Sequence, residues 1–225
     1  MKDFTSQQQG LKTSTSVQTP LGKLNFYLAT IGGEAKEITI SHCQIYPSIP
    51  KYISVDGCIV VLLQFSAIEQ IDEVNFCCAW EDLKIEGYGH GGEGLEAYEW
   101  EQDNHLVMIG TEDSYYLNCR IPLIPAEPSE VSDYPITMEE NEIRICLKKL
   151  PAASSYSLHY VIAWNKLPEP IEISCWLAVD RTHKSIRELL ANPLSDNWTE
   201  QDRSDVTNFS LQYTASLFPE EEDIE

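Results

Sequence analysis

Positive charge is scarce in this sequence: fifteen Lys and Arg stand against thirty-six Asp and Glu in 225 residues, a formal charge of −21. Residues 220–225 hold five of those acids and no base. Most of the excess therefore lies in the body of the chain, and the folded surface is expected to be anionic. Nucleic acid is gripped by clustered Lys and Arg that neutralise phosphates. The densest basic cluster here is Arg144, Lys148 and Lys149, which argues against direct nucleic-acid binding and against an anionic membrane surface as a partner. What a strongly acidic protein gains is solubility and fast encounter with basic partners.

Long apolar runs are also missing. The best one, residues 58–65, is strand-sized, whereas a membrane-spanning helix needs roughly 18 or more apolar residues. The first twenty residues are rich in Ser, Thr and Gln and lack the charged start, apolar core and cleavage site of a secretory signal. The expectation is a soluble, cytoplasmic protein. Its seven cysteines, Cys43, Cys58, Cys77, Cys78, Cys119, Cys146 and Cys175, form no CxxC and no even framework. They read as reduced thiols used as small buried hydrophobes.

Catalytic signatures are absent too. His42, His90, His105, His159 and His183 make no HxH, no HExxH and no zinc spacing with cysteine. There is no Gly-x-Ser-x-Gly nucleophile elbow. No metal and no other cofactor is expected, and the abundance of carboxylates removes their diagnostic value as acid–base pairs.

What the chain does have is period-two alternation almost throughout, the mark of half-buried antiparallel strands. Ile143, Ile145 and Leu147 alternate with Glu142, Arg144 and Lys148, and Ile38 and Ile40 behave alike in residues 37–41. Alternation over residues 171–179 predicts a strand after Pro170, and Phe209, Leu211 and Tyr213 predict a last one. The continuous run Ile59 to Leu63 reads as a central strand covered on both faces. Asp56-Gly57 predicts a tight hairpin joining residues 52–55 to 58–65. A second hairpin is expected at residues 102–104 and a third at 165–169. One helix is expected near 182–192, with Ser185 and Glu188 as a capping pair and a stop before Pro193.

The expected fold is all-β: a mainly antiparallel β-sandwich, one large or two consecutive, with one short helix. A flexible arm would occupy residues 1–20 and an acidic tail 219–225. Pro122, Pro125, Pro128 and Pro135 make residues 122–135 a connection that breaks strand pairing. It would divide a β unit at 21–121 from a second at 136–218, possibly within the same domain.

Three features compete as functional sites. Residues 87–94 contain five glycines with His90 and Glu93, and read as a turning loop that fits neither the phosphate-loop nor the dinucleotide pattern. In the following strand Glu96, Tyr98 and Trp100 share one face, Glu99 and Glu101 the other, with Glu93 and Asp103 at the ends. Aromatics among carboxylates suit an Arg- or Lys-rich segment, although aromatics on strands are usually core. Trp176, read as part of a strand, would point to that strand's polar face.

These residues favour a non-catalytic, intracellular protein-binding module whose acidic surface docks on a basic protein, as an inhibitor, an immunity-type protein or the regulatory subunit of a nucleic-acid-acting assembly does. Tyr98, Trp100 and Trp176 are the expected anchors, and Glu93, Glu96, Glu99 and Asp103 the charge complement. The alternatives are a small-ligand or carbohydrate-binding sandwich using the same aromatics as platforms, and a β-sandwich enzyme with its site near His90.

Overall fold

The computed structural model describes residues 14–47, 49–92, 94–121, 134–139, 141–169 and 173–191. Its strands are β1 (Ser14–Thr19), β2 (Gly22–Ile31), β3 (Ala35–Gln44), β4 (Gly57–Ala67), β5 (Ile71–Trp80), β6 (Tyr88–Gly92), β7 (Leu95–Gln102), β8 (His105–Glu112), β9 (Ile136–Glu139), β10 (Glu142–Leu150) and β11 (Ser154–Lys166). Two helices accompany them, α1 (Ser114–Arg120) and α2 (Ser174–Ala191). The strands form two sheets, a five-stranded one in the order β1-β2-β5-β10-β9 and a six-stranded one in the order β3-β4-β11-β8-β7-β6. Every pairing is antiparallel.

The stretches before and after residues 122–133 contribute to both sheets. Strand β10 pairs with β5, and β11 lies between β4 and β8. The fold is thus an all-β, mainly antiparallel sandwich in which the two sheets pack face to face.

Alternation explains the layers. Inward residues of β2, β5 and β10, among them Leu24, Phe26, Phe76, Ile143, Ile145 and Leu147, meet Val61, Leu63, Phe65, Val107, Ile109 and Tyr160 from the other sheet. Each such side chain contributes about 1.5–3 kcal/mol by leaving water. Tyr160 spans the interface: its ring lies 4.9 Å from Phe76 and 5.9 Å from Phe26, and its hydroxyl donates to the carbonyls of Phe76 and Ile143 at 2.9 and 3.0 Å. A buried phenol with partners is not penalised for its polar end.

The six-stranded sheet has a second covered face, beneath α2. Cys175, Ala178, Val179 and Ile186 pack there on Cys58, Leu95, Ala97, Met108, Val161 and Ala163. Small residues let the helix approach closely. A Cβ added to Gly110 would stand 2.5 Å from the Val179 Cγ1.

Several expectations need correction. Over residues 174–179 the expected strand is helix instead: α2 begins at Ser174, not near Thr182. Positions 175, 178, 179, 182, 183 and 186, all buried or half-buried, follow the 3.6-residue period of a helix, and this period continues where the alternation stops. Consequently no hairpin joins β11 to a later strand at 165–169. The hairpin at Asp56-Gly57 does not form either, since residues 53–56 are not a strand. They are tied instead to Asn165, whose Oδ1 accepts from the Asp56 N–H at 2.8 Å and whose Nδ2 donates to the Ser54 carbonyl at 3.0 Å. Part of the expected arm is strand β1, because Val17 and Thr19 alternate with exposed neighbours and are buried. Within the glycine-rich segment Tyr88–Gly92 form strand β6, not a loop. Helix α1, capped by the Asp113 side chain accepting from the Tyr116 N–H, had no expected counterpart. The hairpin at 102–104 does form, with Asp103 and Asn104 at φ of 51° and 62°. The predicted strand at residues 209–213, the acidic tail, and most of the 122–135 connection lie outside the described residues.

Candidate functional site

Strand β7 separates the expected site residues by parity. Trp100 points between the sheets and is 1% exposed; its ring meets Trp80 edge-on at 5.5 Å and its Nε1 donates to Asn141 Oδ1 at 3.4 Å. It is a core residue and not an exposed anchor, which corrects the expectation. Tyr98 and Glu96 share that inner face. Tyr98 packs against the same core, and its hydroxyl donates to Glu96 Oε1 at 3.4 Å. Burial raises the Glu96 carboxyl above its ordinary range and pushes the Tyr98 phenol up to about 12. Neither therefore joins Trp176 on one surface. Asp103 sits at the exposed tip of the β7–β8 hairpin, and Glu93 lies outside the described residues.

The opposite face of β7 presents Glu99 and Glu101, and α2 covers only part of it. Between the helix and strands β6 and β7 runs a groove of about 760 Å³. Glu99, Glu101 and His90 form its polar side, while Leu106, Met108 and Ile173 supply apolar floor and rim. Trp176 stands on the helical wall, half-buried, with its ring 6.3 Å from that of His90. The register places Tyr88 opposite Glu99, and Tyr88 is 70% exposed. Thus Trp176 and Glu99 are the two expected site residues that the fold brings together.

His90 Nε2 lies 3.1 Å from Glu99 Oε1. Glu169 closes the end of the groove near the start of α2, where its Oε1 accepts from the Cys175 N–H at 2.8 Å and from Asn165 Nδ2 at 3.1 Å. A carboxylate at that position suits the unpaired N–H groups and positive dipole end of a helix. Three carboxylates and no Lys or Arg line the groove.

Glu101, Glu169 and Ile173 were missed as site residues. Glu101 was legible from its shared parity with Glu99, whereas the other two required knowing where α2 starts. The sequence also gave no sign of the polar seam beneath α2. There His159 and His183 are buried with their rings 5.2 Å apart and His159 Nε2 3.0 Å from His183 Nδ1, one of the pair donating to the other.

Burial works against reactivity at several of the cysteines. Six are free thiols among the described residues, and burial pushes Cys58 and Cys77 up to about 12 and Cys146 to about 11. A nucleophilic thiol needs the reverse shift. Among the described residues no group of three or more His, Cys, Asp or Glu is placed to hold a metal ion, and no helix is long and apolar enough to cross a membrane.

No family model and no curated protein matches the chain. A solved structure similar to it is named "Putative kojibiose phosphorylase from human microbiome", with a TM-score of 0.42 and 9% identity over 87% of this chain. The match covers 23% of that protein's own length, and at this level of similarity it assigns no activity.

Proposed function

We propose that the protein is a non-catalytic binding module that docks a basic protein partner, in the manner of an inhibitor or regulatory subunit, through the groove between α2 and strands β6 and β7. The observation that carries this reading is the pairing of Trp176 with a carboxylate wall free of Lys and Arg: Glu99, Glu101 and Glu169. A Lys or Arg side chain entering there meets negative charge on the sheet side and an indole face on the helix side, the combination that binds cations by charge pairing and cation–π contact. The excess of acid over the whole chain would speed encounter with such a partner at low ionic strength. Tyr88 and Ile173 enlarge the patch, both being exposed at its rim.

The test is a titration with an arginine-rich peptide at low and high salt, using the wild type and Trp176→Ala. The reading expects binding that weakens steeply with salt and by about tenfold on loss of the indole. Binding indifferent to both changes would refute it. A second reading rests on the groove's size and the half-buried indole of Trp176, which also suit a neutral small ligand such as a sugar. Its signature is a heat of binding to oligosaccharides that persists at high salt.

A further inference from the structure

Strand β6 is an open sheet edge of unusual character. It ends the order of the six-stranded sheet, and among the described residues no strand pairs with its far side. All five of its residues are exposed. Edge strands are commonly guarded by Lys, Pro, a bulge or a covering element. This one, Tyr-Gly-His-Gly-Gly, has neither Lys nor Pro, and it pairs with β7 without a break in register. Its three glycines, Gly89, Gly91 and Gly92, present no side chain that would obstruct another backbone.

We propose that β6 is the recognition edge for the partner, which adds an extended segment as a seventh strand and sends alternate Lys or Arg side chains into the groove. This rests on the groove reading above and specifies the conformation of what the groove takes. Main-chain bonds to a sheet edge supply affinity and alternate side chains supply specificity in strand addition. Neighbouring strands lie about 4.8 Å apart, so an added strand would lie roughly two spacings from β7. From its groove-side positions a short side chain would stop beside Tyr88 and His90. Only a long one would reach Glu99 and the indole of Trp176. Charge complementarity selects Lys or Arg for that role, since the groove is lined by three carboxylates and His90 with no Lys or Arg. An acidic or neutral strand could use the same backbone groups but would bring no positive charge to the carboxylates.

The experiment uses the full chain and a capped hexapeptide alternating Arg and Thr, with two twins: one N-methylated at its three Arg residues, the other at its three Thr residues. In an extended strand these modifications block opposite edges, so the twins carry the same number of N-methyl groups and differ in which edge can pair. The expected result is that one twin binds within about twofold of the parent, while the other is weaker by at least about tenfold. Trp176→Ala would weaken the parent and the tolerated twin alike. If both twins bind like the parent, or both lose equally, strand addition is overturned. In that case continued sensitivity to Trp176→Ala and to salt would leave the groove reading standing. If the parent itself shows no salt-sensitive binding, the groove reading fails and strand addition falls with it.

Discussion

The two faces of the six-stranded sheet are built from alternate residues of the same strands and have opposite fates. Toward the five-stranded sheet, β7 sends Glu96, Tyr98 and Trp100. Toward α2 it sends Leu95, Ala97, Glu99 and Glu101. The first face buries Trp100 and half-buries Glu96 and Tyr98, and burial makes Glu96 hold its proton more tightly than usual. The second is covered only where Leu95 and Ala97 lie under the helix, and beyond that it opens into a groove. Coverage by a neighbouring element, more than residue type, decides whether an aromatic serves as core or as contact surface. Trp100 is buried between the sheets, whereas Trp176, with the same side chain, is half-buried at the groove.

The largest test of that contrast is Trp100→Ala. It removes the indole from between the sheets and should cost about 3–5 kcal/mol of stability, measured by denaturant unfolding. If the loss were below about 1 kcal/mol, Trp100 could not be the core residue described. Next comes Gly110→Val, which sets a branched side chain against Val179 beneath the helix. Overpacking of this kind should cost about 1–3 kcal/mol, and increased amide exchange should be concentrated in α2 and β8 while β2, β5 and β10 stay protected. Uniform loss of protection would mean that the helix and sandwich do not behave as separable layers.

On the open face the effects move from stability to binding. Trp176→Ala should change unfolding free energy by about 1 kcal/mol or less, yet weaken an arginine-rich peptide about tenfold. The reverse pattern would make Trp176 a packing residue like Trp100. The double variant Glu99→Gln, Glu101→Gln should leave the melting temperature nearly unaltered, because exposed ion pairs contribute little. Its peptide affinity should fall several-fold at low salt, and the difference should shrink as salt rises.

The smallest effect belongs to Glu96→Gln, on the inner face. The folded state raises the pKa of Glu96, so its contribution to stability is fully present below the unfolded value of about 4.3 and is lost as pH rises through the folded one. The Gln variant should therefore match the wild type in acid and equal or slightly exceed it at neutral pH, read from melting temperatures across that range. A wild type favoured increasingly toward neutral pH would show that the ionised carboxylate is stabilised where it sits.

Strand β4 showed as a continuous apolar run and β2 had no expected counterpart, whereas alternation revealed β3, β7 and β10 because a strand with one face in the core repeats every two residues, and this pattern survives in any topology. The same signal failed at residues 171–179. There the alternation of apolar residues also fits the start of an amphipathic helix, and only the run on to Thr182, His183 and Ile186 separates the two. Asp56-Gly57 has the composition of a hairpin turn, but residues 53–56 find better partners in Asn165, more than a hundred positions away. Residues 87–94 have the composition of a loop because glycine is rare inside strands, whereas at an edge facing solvent the ladder with β7 is sufficient to hold Tyr88–Gly92 extended.

For the site, Trp176 was nominated through the parity of a strand that is helix α2 instead, but residue types in the sequence did carry the acidic character and the nomination of Glu99. Composition and local period suffice for these, since charge and alternation are properties of short stretches. The choice between Trp100 and Trp176 as contact residue, the meeting of Glu99 with His90 at 3.1 Å, and the open edge of β6 beside a groove were decided by tertiary structure alone. Each depends on which face of a strand another element covers, and coverage is a relation between segments far apart in the chain that no local pattern encodes.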